Sequence, residues 1–301
     1  MATVDETAFV ETASIGSRIW SGTKRFARRN ILGTMGALIV FIMIAMAILA
    51  DVITVHDPLL NDFGSMLEAP SAEHWLGTDQ YGRDLLTRII YGARTALLVG
   101  FVSALIGATT GLVLGVASAY FGGFFDLALQ RVMDVLMAFP LIILALAVVS
   151  IGKALPISDT YKVILAITIP FIPRCARVVR SSALAIREVP YVDAARACGF
   201  GHARIILRHM VPNVMAPYLI ILTASVGQAI LIEASLSYLG LGVQEPTPAW
   251  GLMLSGGAEE YAESAPWVAI FPGLAITLAV FGFNMFGDSV RDALDPKLRS
   301  R

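Results

Sequence analysis

The chain has 301 residues, with 22 Lys+Arg against 23 Asp+Glu, a formal net charge of −1, and only 15% charged residues. A soluble domain carries about 25%. With 56% hydrophobic residues and a mean hydropathy of +0.73, these figures exclude a disordered chain, a nucleic-acid binder driven by net charge and a disulfide-framed secreted scaffold, and they indicate a polytopic membrane protein.

Residues 1–30 are expected to be a cytoplasmic tail. Within it, Ser14–Arg29 places Ile15, Ile19, Trp20 and Phe26 near one helical face, with Arg18, Lys24, Arg25, Arg28 and Arg29 elsewhere. That pattern suits an interfacial helix on the inner leaflet, and a disordered basic tail is the alternative. Residues 31–50 are uncharged and form the first span. The run follows a long tail and precedes no small-residue cleavage site, so it reads as a retained anchor and not a signal peptide.

Residues 51–94 are expected to be an extracytoplasmic loop with seven acids and three arginines. These acids either pair with a basic docking protein or stay solvated. The stretch Gly82–Arg94 is amphipathic at helical spacing and is expected to lie at the outer membrane surface. A second span covers 95–121, where Gly107, Gly111 and Gly115 form a small-xxx-small series that favours close helix packing.

A third span is expected over 132–152, beginning near Asp134. The fourth, 161–180, is the weakest, because only 11 uncharged residues separate Lys162 from Arg174. It has to continue through Arg174 and Arg177, whose long side chains snorkel, and it has to tolerate Pro170 and Pro173. A fifth span, 212–233, ends at Glu233. An extracytoplasmic loop, 234–265, and a sixth span, 266–286, follow, and residues 288–301 form a cytoplasmic tail. Structural ion-pairing or capping roles are expected for Asp134 and Glu233.

Charge bias supports the fourth span. With six spans and a cytoplasmic N-terminus, 17 Lys/Arg fall inside and 5 outside. Without it the counts become 6 inside and 16 outside. The positive-inside rule therefore selects six spans with both termini in the cytoplasm.

No catalytic constellation is visible: there is no phosphate-binding glycine loop, no H-E-x-x-H and no nucleophile elbow. The four histidines, His56 and His74 outside and His202 and His209 inside, are scattered, and no metal site is expected from them. Cys175 and Cys198 fall on the cytoplasmic side and are expected to be reduced thiols.

The informative segment is the inside loop 188–213. Pro190 favours a helix start, and Asp193 suits a first turn. Gly199 and Gly201 break the helix, a second helix covers His202–Val211, and Pro212-Asn213 interrupts the chain. The expected product is a basic helix–turn–helix projecting into the cytoplasm, with an ordinary amphipathic connector as the alternative.

The spacing of Asp193-Ala194-Ala195, Gly199 and Pro212 resembles the EAA loop of ABC importer membrane subunits, with Asp193 replacing the usual glutamate and Val211 the usual leucine before the proline. Further segments resemble the C-type subunits of dipeptide, oligopeptide and nickel permeases. They are Trp75-Leu-Gly77-Thr78-Asp79 through Arg94, Glu233 through Gly251, and Gly287-Asp288 through Pro296.

The resemblance implies an all-α type I ABC importer permease with six transmembrane helices, in the bacterial inner membrane. It implies a B-type permease partner forming a heterodimer, two ABC ATPase subunits that carry ATP and Mg, an extracytoplasmic solute-binding protein, and contact with membrane lipid. It implies no cofactor on this chain, no nucleic acid and no catalysis by the chain itself. ATPase coupling would fall on Asp193, Ala194, Ala195, Arg196, Gly199, Arg204 and Pro212. In that reading the alanines fit a tight groove and the glycine sets the interhelical angle, while for Arg196 and Arg204 simple solvated charge is an equal alternative. Among solutes carried by relatives (dipeptides, longer peptides, glutathione, opines, nickel complexes), dipeptides or oligopeptides are expected. A stand-alone secondary transporter is the alternative class. It would need inverted repeats or buried proton-coupling acids, and neither is evident.

Overall fold

Long uncharged runs in lipid must satisfy their backbone hydrogen bonds internally, which they do as helices. A computed structural model describes residues 30–154, 156–257, 260–261 and 263–294. Among the described residues the regular elements are helices, apart from an isolated bridge between Thr78 and Asp84. The expected tail helix over 14–29 and residues 295–301 of the expected C-terminal tail lie outside the described residues.

Helix α1 is Ile31–Ile53 and α2 is Leu85–Phe121, 37 residues and therefore about 55 Å long. Asp84 caps α2, its side chain accepting the Thr87 amide. Then come α3 (Gly123–Ala138), α4 (Leu141–Gly152) and α5 (Asp159–Arg187). Two short helices follow, α6 (Pro190–Ala197) and α7 (His202–Ile205). A π turn over Ile206–Met210 leads directly into α8 (Val211–Tyr238). Helices α9 (Trp250–Gly257) and α10 (Trp267–Leu294) complete the described chain.

Helices α1, α2, α10 and the continuous stretch His202–Tyr238 are long and apolar enough to cross a membrane, and the α3–α4 pair is a fifth candidate if counted as one broken span. In α5, Pro170 and Pro173 sit inside an unbroken helix. Four arginines, Arg174, Arg177, Arg180 and Arg187, share that helix, which lowers its hydropathy.

Two expectations need correction. The single helix expected over 132–152 is two helices meeting at 97°. Pro140 has no N–H to donate, and its ring pushes the preceding residue out of the helical region. Phe139 is accordingly extended, at φ −86° and ψ 138°. The stretch Gly82–Arg94 is not a separate amphipathic helix with one face open. From Leu85 onward it is the first part of α2, with Leu85, Arg88, Ile89 and Ile90 all buried.

The glycine series in α2 works as its spacing predicts. A β-carbon at Gly107 would lie 2.9 Å from Phe171 Cβ. One at Gly111 would lie 2.6 Å from Cys175 Cβ, and one at Gly115 2.5 Å from the Ala176 carbonyl oxygen. The backbones of α2 and α5 therefore approach as closely as glycine allows. Gly36 of α1 and Gly282 of α10 make a second contact of this kind, with a β-carbon at Gly36 falling 2.6 Å from the Phe286 nitrogen. Buried side chains form two clusters. One joins α1, α2, α4, α5, α8, α9 and α10 and includes Leu85, Ile167, Ile230 and Trp250. The other lies beneath the 188–213 loop and includes Tyr120, Val179, Val192, Ile205 and Met210.

Candidate functional site

The turn between α6 and α7 is built by backbone hydrogen bonds. The Phe200 amide donates to the Ala195 carbonyl at 3.1 Å and the Gly199 amide donates to that of Arg196 at 2.9 Å. This is the Schellman end of a helix, which needs a left-handed residue. Gly199 supplies it at φ +75°. Pro190 sits at the first position of α6, where a missing N–H costs nothing. Pro212 sits in the first turn of α8, immediately after the π turn. That wider turn relieves the clash a proline ring makes with the carbonyl four residues back.

The underside of the loop is anchored. Val192, Ala195, Ile205 and Met210 are all buried in the lower cluster against Tyr120, Val179 and Val214. The Tyr120 hydroxyl and His202 Nδ1 are 2.7 Å apart, tying α7 to the end of α2. Arg187 Nη1 donates to the Ala119 carbonyl at 2.8 Å. Asn213 Nδ2 donates to the Tyr191 hydroxyl at 3.1 Å and to the His209 carbonyl at 2.7 Å, bridging α6 to the base of α8. The His209 ring stacks on Phe200 at 6.3 Å. The loop is thus packed onto α2, α5 and α8 as one unit, and a force on it reaches all three long helices.

The singled-out residues divide by the direction they face. Asp193, Ala194, Arg196, Gly199, Arg204 and Pro212 are exposed. Ala195 faces inward and is 6% exposed, so its methyl group fits the chain's own core and not an outside groove. Arg196 Nη1 donates to Asp193 Oδ1 at 2.8 Å, one turn back. The Arg204 guanidinium lies 4.1 Å over the Phe200 ring. Leu207, 67% exposed, projects from the π turn, an apolar feature the sequence reading did not single out.

The opposite end of α2 holds an ionic cluster. Arg83 Nε donates to Asp79 Oδ2 at 2.7 Å, and its two terminal nitrogens lie 2.8 and 3.2 Å from the Glu245 carboxylate oxygens. Arg88, fully buried, lies 3.5 Å from Glu245 and 3.7 Å from Asp79 and donates to the Pro58 carbonyl at 3.0 Å. Burial pulls the Arg83 guanidinium down, and the Glu245 and Asp79 carboxylates more than offset it, leaving the group above its ordinary value. Several acids expected to be open to a docking protein are therefore spent inside the chain. Asp79 and Asp84 are buried, and Glu245 clamps the loop after α8 onto the start of α2.

Helix α9 turns back into the body, where Trp250 Nε1 donates to the Ile89 carbonyl at 2.9 Å. In the sequence this stretch reads as plain extracytoplasmic loop. Asp134 pairs with Arg177 and Arg131. Glu233, 1% exposed, accepts a hydrogen bond from Ser237 Oγ at 2.7 Å.

Among known proteins, residues 111–300 match the family described as binding-protein-dependent transport system inner membrane component. The chain is 42% identical over 282 residues to the dipeptide transport system permease protein DppC of Alkalihalophilus pseudofirmus, covering 93% of this chain and 91% of that one. It is 41% identical over 278 residues to the glutathione transport system permease protein GsiD of Pectobacterium atrosepticum, covering 92% and 90%. Among solved structures, the inward-facing MetNI methionine ABC transporter is similar at a TM-score of 0.55 and 20% identity, over 70% of this chain and 98% of that one.

Proposed function

The chain belongs to the family of binding-protein-dependent transport inner membrane components, and from that premise we propose that it moves dipeptides, short oligopeptides or a related small peptide such as glutathione across the bacterial inner membrane. It is the membrane permease subunit of an ABC importer and is not itself an enzyme. ATP and Mg belong to two partner ATPases, a B-type permease completes the pathway as a heterodimer, and a solute-binding protein docks outside. Both termini lie in the cytoplasm. Six spans are counted by adding the arginine-bearing α5 and the broken α3–α4 pair to the four apolar helices, a count supported by the 17-to-5 charge bias.

The observation that carries the coupling assignment is the 188–213 loop. Its underside is packed onto three long helices, and its top leaves Asp193, Ala194 and Arg196 exposed to a partner. Closure of the ATPases against that top would move α2, α5 and α8 together, the rigid-body motion that alternating access needs. Asp193 and Ala194 make the contact, with Arg196 and Arg204 flanking it. Ala195, Gly199 and Pro212 hold the loop in shape.

The test is solute-stimulated ATP hydrolysis by the reconstituted assembly carrying Ala194→Asp. Ala194 is exposed, so this change leaves the loop's own packing intact, whereas Ala195→Asp would bury a charge and confound docking with folding. Loss of stimulation with the chain still inserted is the expected result. Full stimulation would remove the loop from the coupling path.

A further inference from the structure

The fold brings together two histidines that lie 18 positions apart in the chain, His56 just beyond α1 and His74 ahead of α2, at the end of α2 far from the coupling loop. Their rings are 4.9 Å apart between centroids, tilted by 37°. His74 Nδ1 is 3.0 Å from Asp84 Oδ1. One donor atom from each of His56, His74 and Asp84 lies within 4.8 Å of the others. We propose that these three residues form a binding site for a borderline divalent transition-metal ion, Zn2+ or Cu2+, that clips the segment after α1 to the start of α2.

The donor set fits that class. Two imidazoles and one carboxylate suit zinc, copper or nickel, whereas calcium and magnesium favour shells of oxygen. The 3.0 Å between His74 Nδ1 and Asp84 Oδ1 is a hydrogen-bond length. It is also about the spacing of two neighbouring ligands each about 2.1 Å from one ion. The helix cap also fixes Asp84: its other oxygen accepts the Thr87 amide at 2.8 Å, and the residue is 5% exposed. Second-shell restraint of this kind orients a ligating carboxylate before the ion arrives.

His56 is the least enclosed member. It is half-buried, and its Nε2 lies 3.3 Å from the Glu73 carbonyl oxygen. Its nitrogen has to approach by about 1 Å to complete the shell. A cavity of about 430 Å³ lined by His56, Glu73, Trp75, Asp84 and Thr87 gives an entry path and leaves the remaining coordination positions to solvent. A hydrogen bond between His74 and Asp84 accounts for those two side chains alone and assigns no part to the neighbouring His56 ring. In the sequence the histidines look scattered, because nothing in their spacing shows that the chain doubles back.

The probe is Cu2+ or Zn2+ alone, titrated into the assembled membrane complex purified without a polyhistidine tag. Calorimetry with Zn2+ is expected to give one site per chain, and the Cu2+ spectrum is expected to show splitting from two imidazole nitrogens. His56→Gln, at a half-exposed loop position, should leave the fold intact and weaken binding by about 100-fold. A His202→Gln/His209→Gln variant, altered at the opposite end, should bind as wild type. Unchanged affinity in His56→Gln, loss of the site in the His202/His209 variant, or no stoichiometric binding to wild type would each overturn the assignment.

Discussion

Replacing Gly111 is the sharpest test of how α2 and α5 pack. A β-carbon there would sit 2.6 Å from Cys175 Cβ, 2.8 Å from the Ile172 carbonyl oxygen and 2.9 Å from the Ala176 nitrogen. Ordinary carbon contacts lie at about 3.5–4.0 Å, so the helices must separate by about 1 Å. Two of the three obstructing atoms are backbone and cannot rotate away. Overpacking of this kind costs about 1–3 kcal/mol, and the better helix propensity of alanine returns up to about 1 kcal/mol. Gly111→Ala should therefore destabilise by about 1 kcal/mol, and Gly111→Val, with two further carbons and a branched β-carbon, by about 3 kcal/mol or more. Gly152, whose β-carbon would meet nothing within 4 Å, is the control, and Gly152→Ala should be neutral or slightly stabilising. Thermal unfolding of the purified membrane complex reads the cost. Thiol labelling reads the cause: Cys175 is buried and Cys198 exposed, so wild type should label at Cys198 alone and Gly111→Val at both. Wild-type stability and labelling in Gly111→Val would refute the close-packing argument.

Other expectations follow from the same structure. Gly199 has open space around its β-position but a φ of +75°. Gly199→Asn should thus keep near-normal uptake, while Gly199→Val should lose about 1–2 kcal/mol of loop stability and most uptake, measured by transport and by protease sensitivity of the loop. Gly199→Pro cannot adopt that φ at all and also removes the amide that donates to Arg196, so uptake should vanish with the chain still inserted. Glu245→Ala strips Arg88 of one of its two carboxylates and should cost about 2–4 kcal/mol in thermal unfolding, and adding Arg88→Met should recover much of that loss. Asp193→Asn removes only an exposed pair with Arg196 and should change stability by less than about 0.5 kcal/mol, while it reduces solute-stimulated ATP hydrolysis.

Much of this arrangement is legible from local chemistry. Gly107, Gly111 and Gly115 announce a tight helix contact by spacing alone, and the structure supplies α5 as the partner. Gly199 announces a left-handed turn, because the helix around Asp193 has to stop there and begin again at His202. What stayed hidden depends on residues far apart in the chain. Arg88 looks like the polar face of a surface helix until Glu245, 157 positions away, is folded over it. Trp250 looks like loop until its indole meets the Ile89 carbonyl. The inward turn of Ala195 depends on where α2 and α5 end relative to the loop. The break at Phe139–Pro140 is a different case, since its signal is a local proline, set inside an uninterrupted apolar run that reads as one span.

As the membrane permease subunit of an ABC importer, this chain should transport only when ATP drives it. The direct measurement is uptake of a radiolabelled dipeptide into proteoliposomes that hold this chain, its membrane partner and the ATPases, with the solute-binding protein supplied at the extracytoplasmic face. Accumulation that requires ATP and is abolished by Ala194→Asp is the predicted result. Uptake that proceeds without ATP, or with this chain reconstituted alone, would contradict it and point to a secondary transporter.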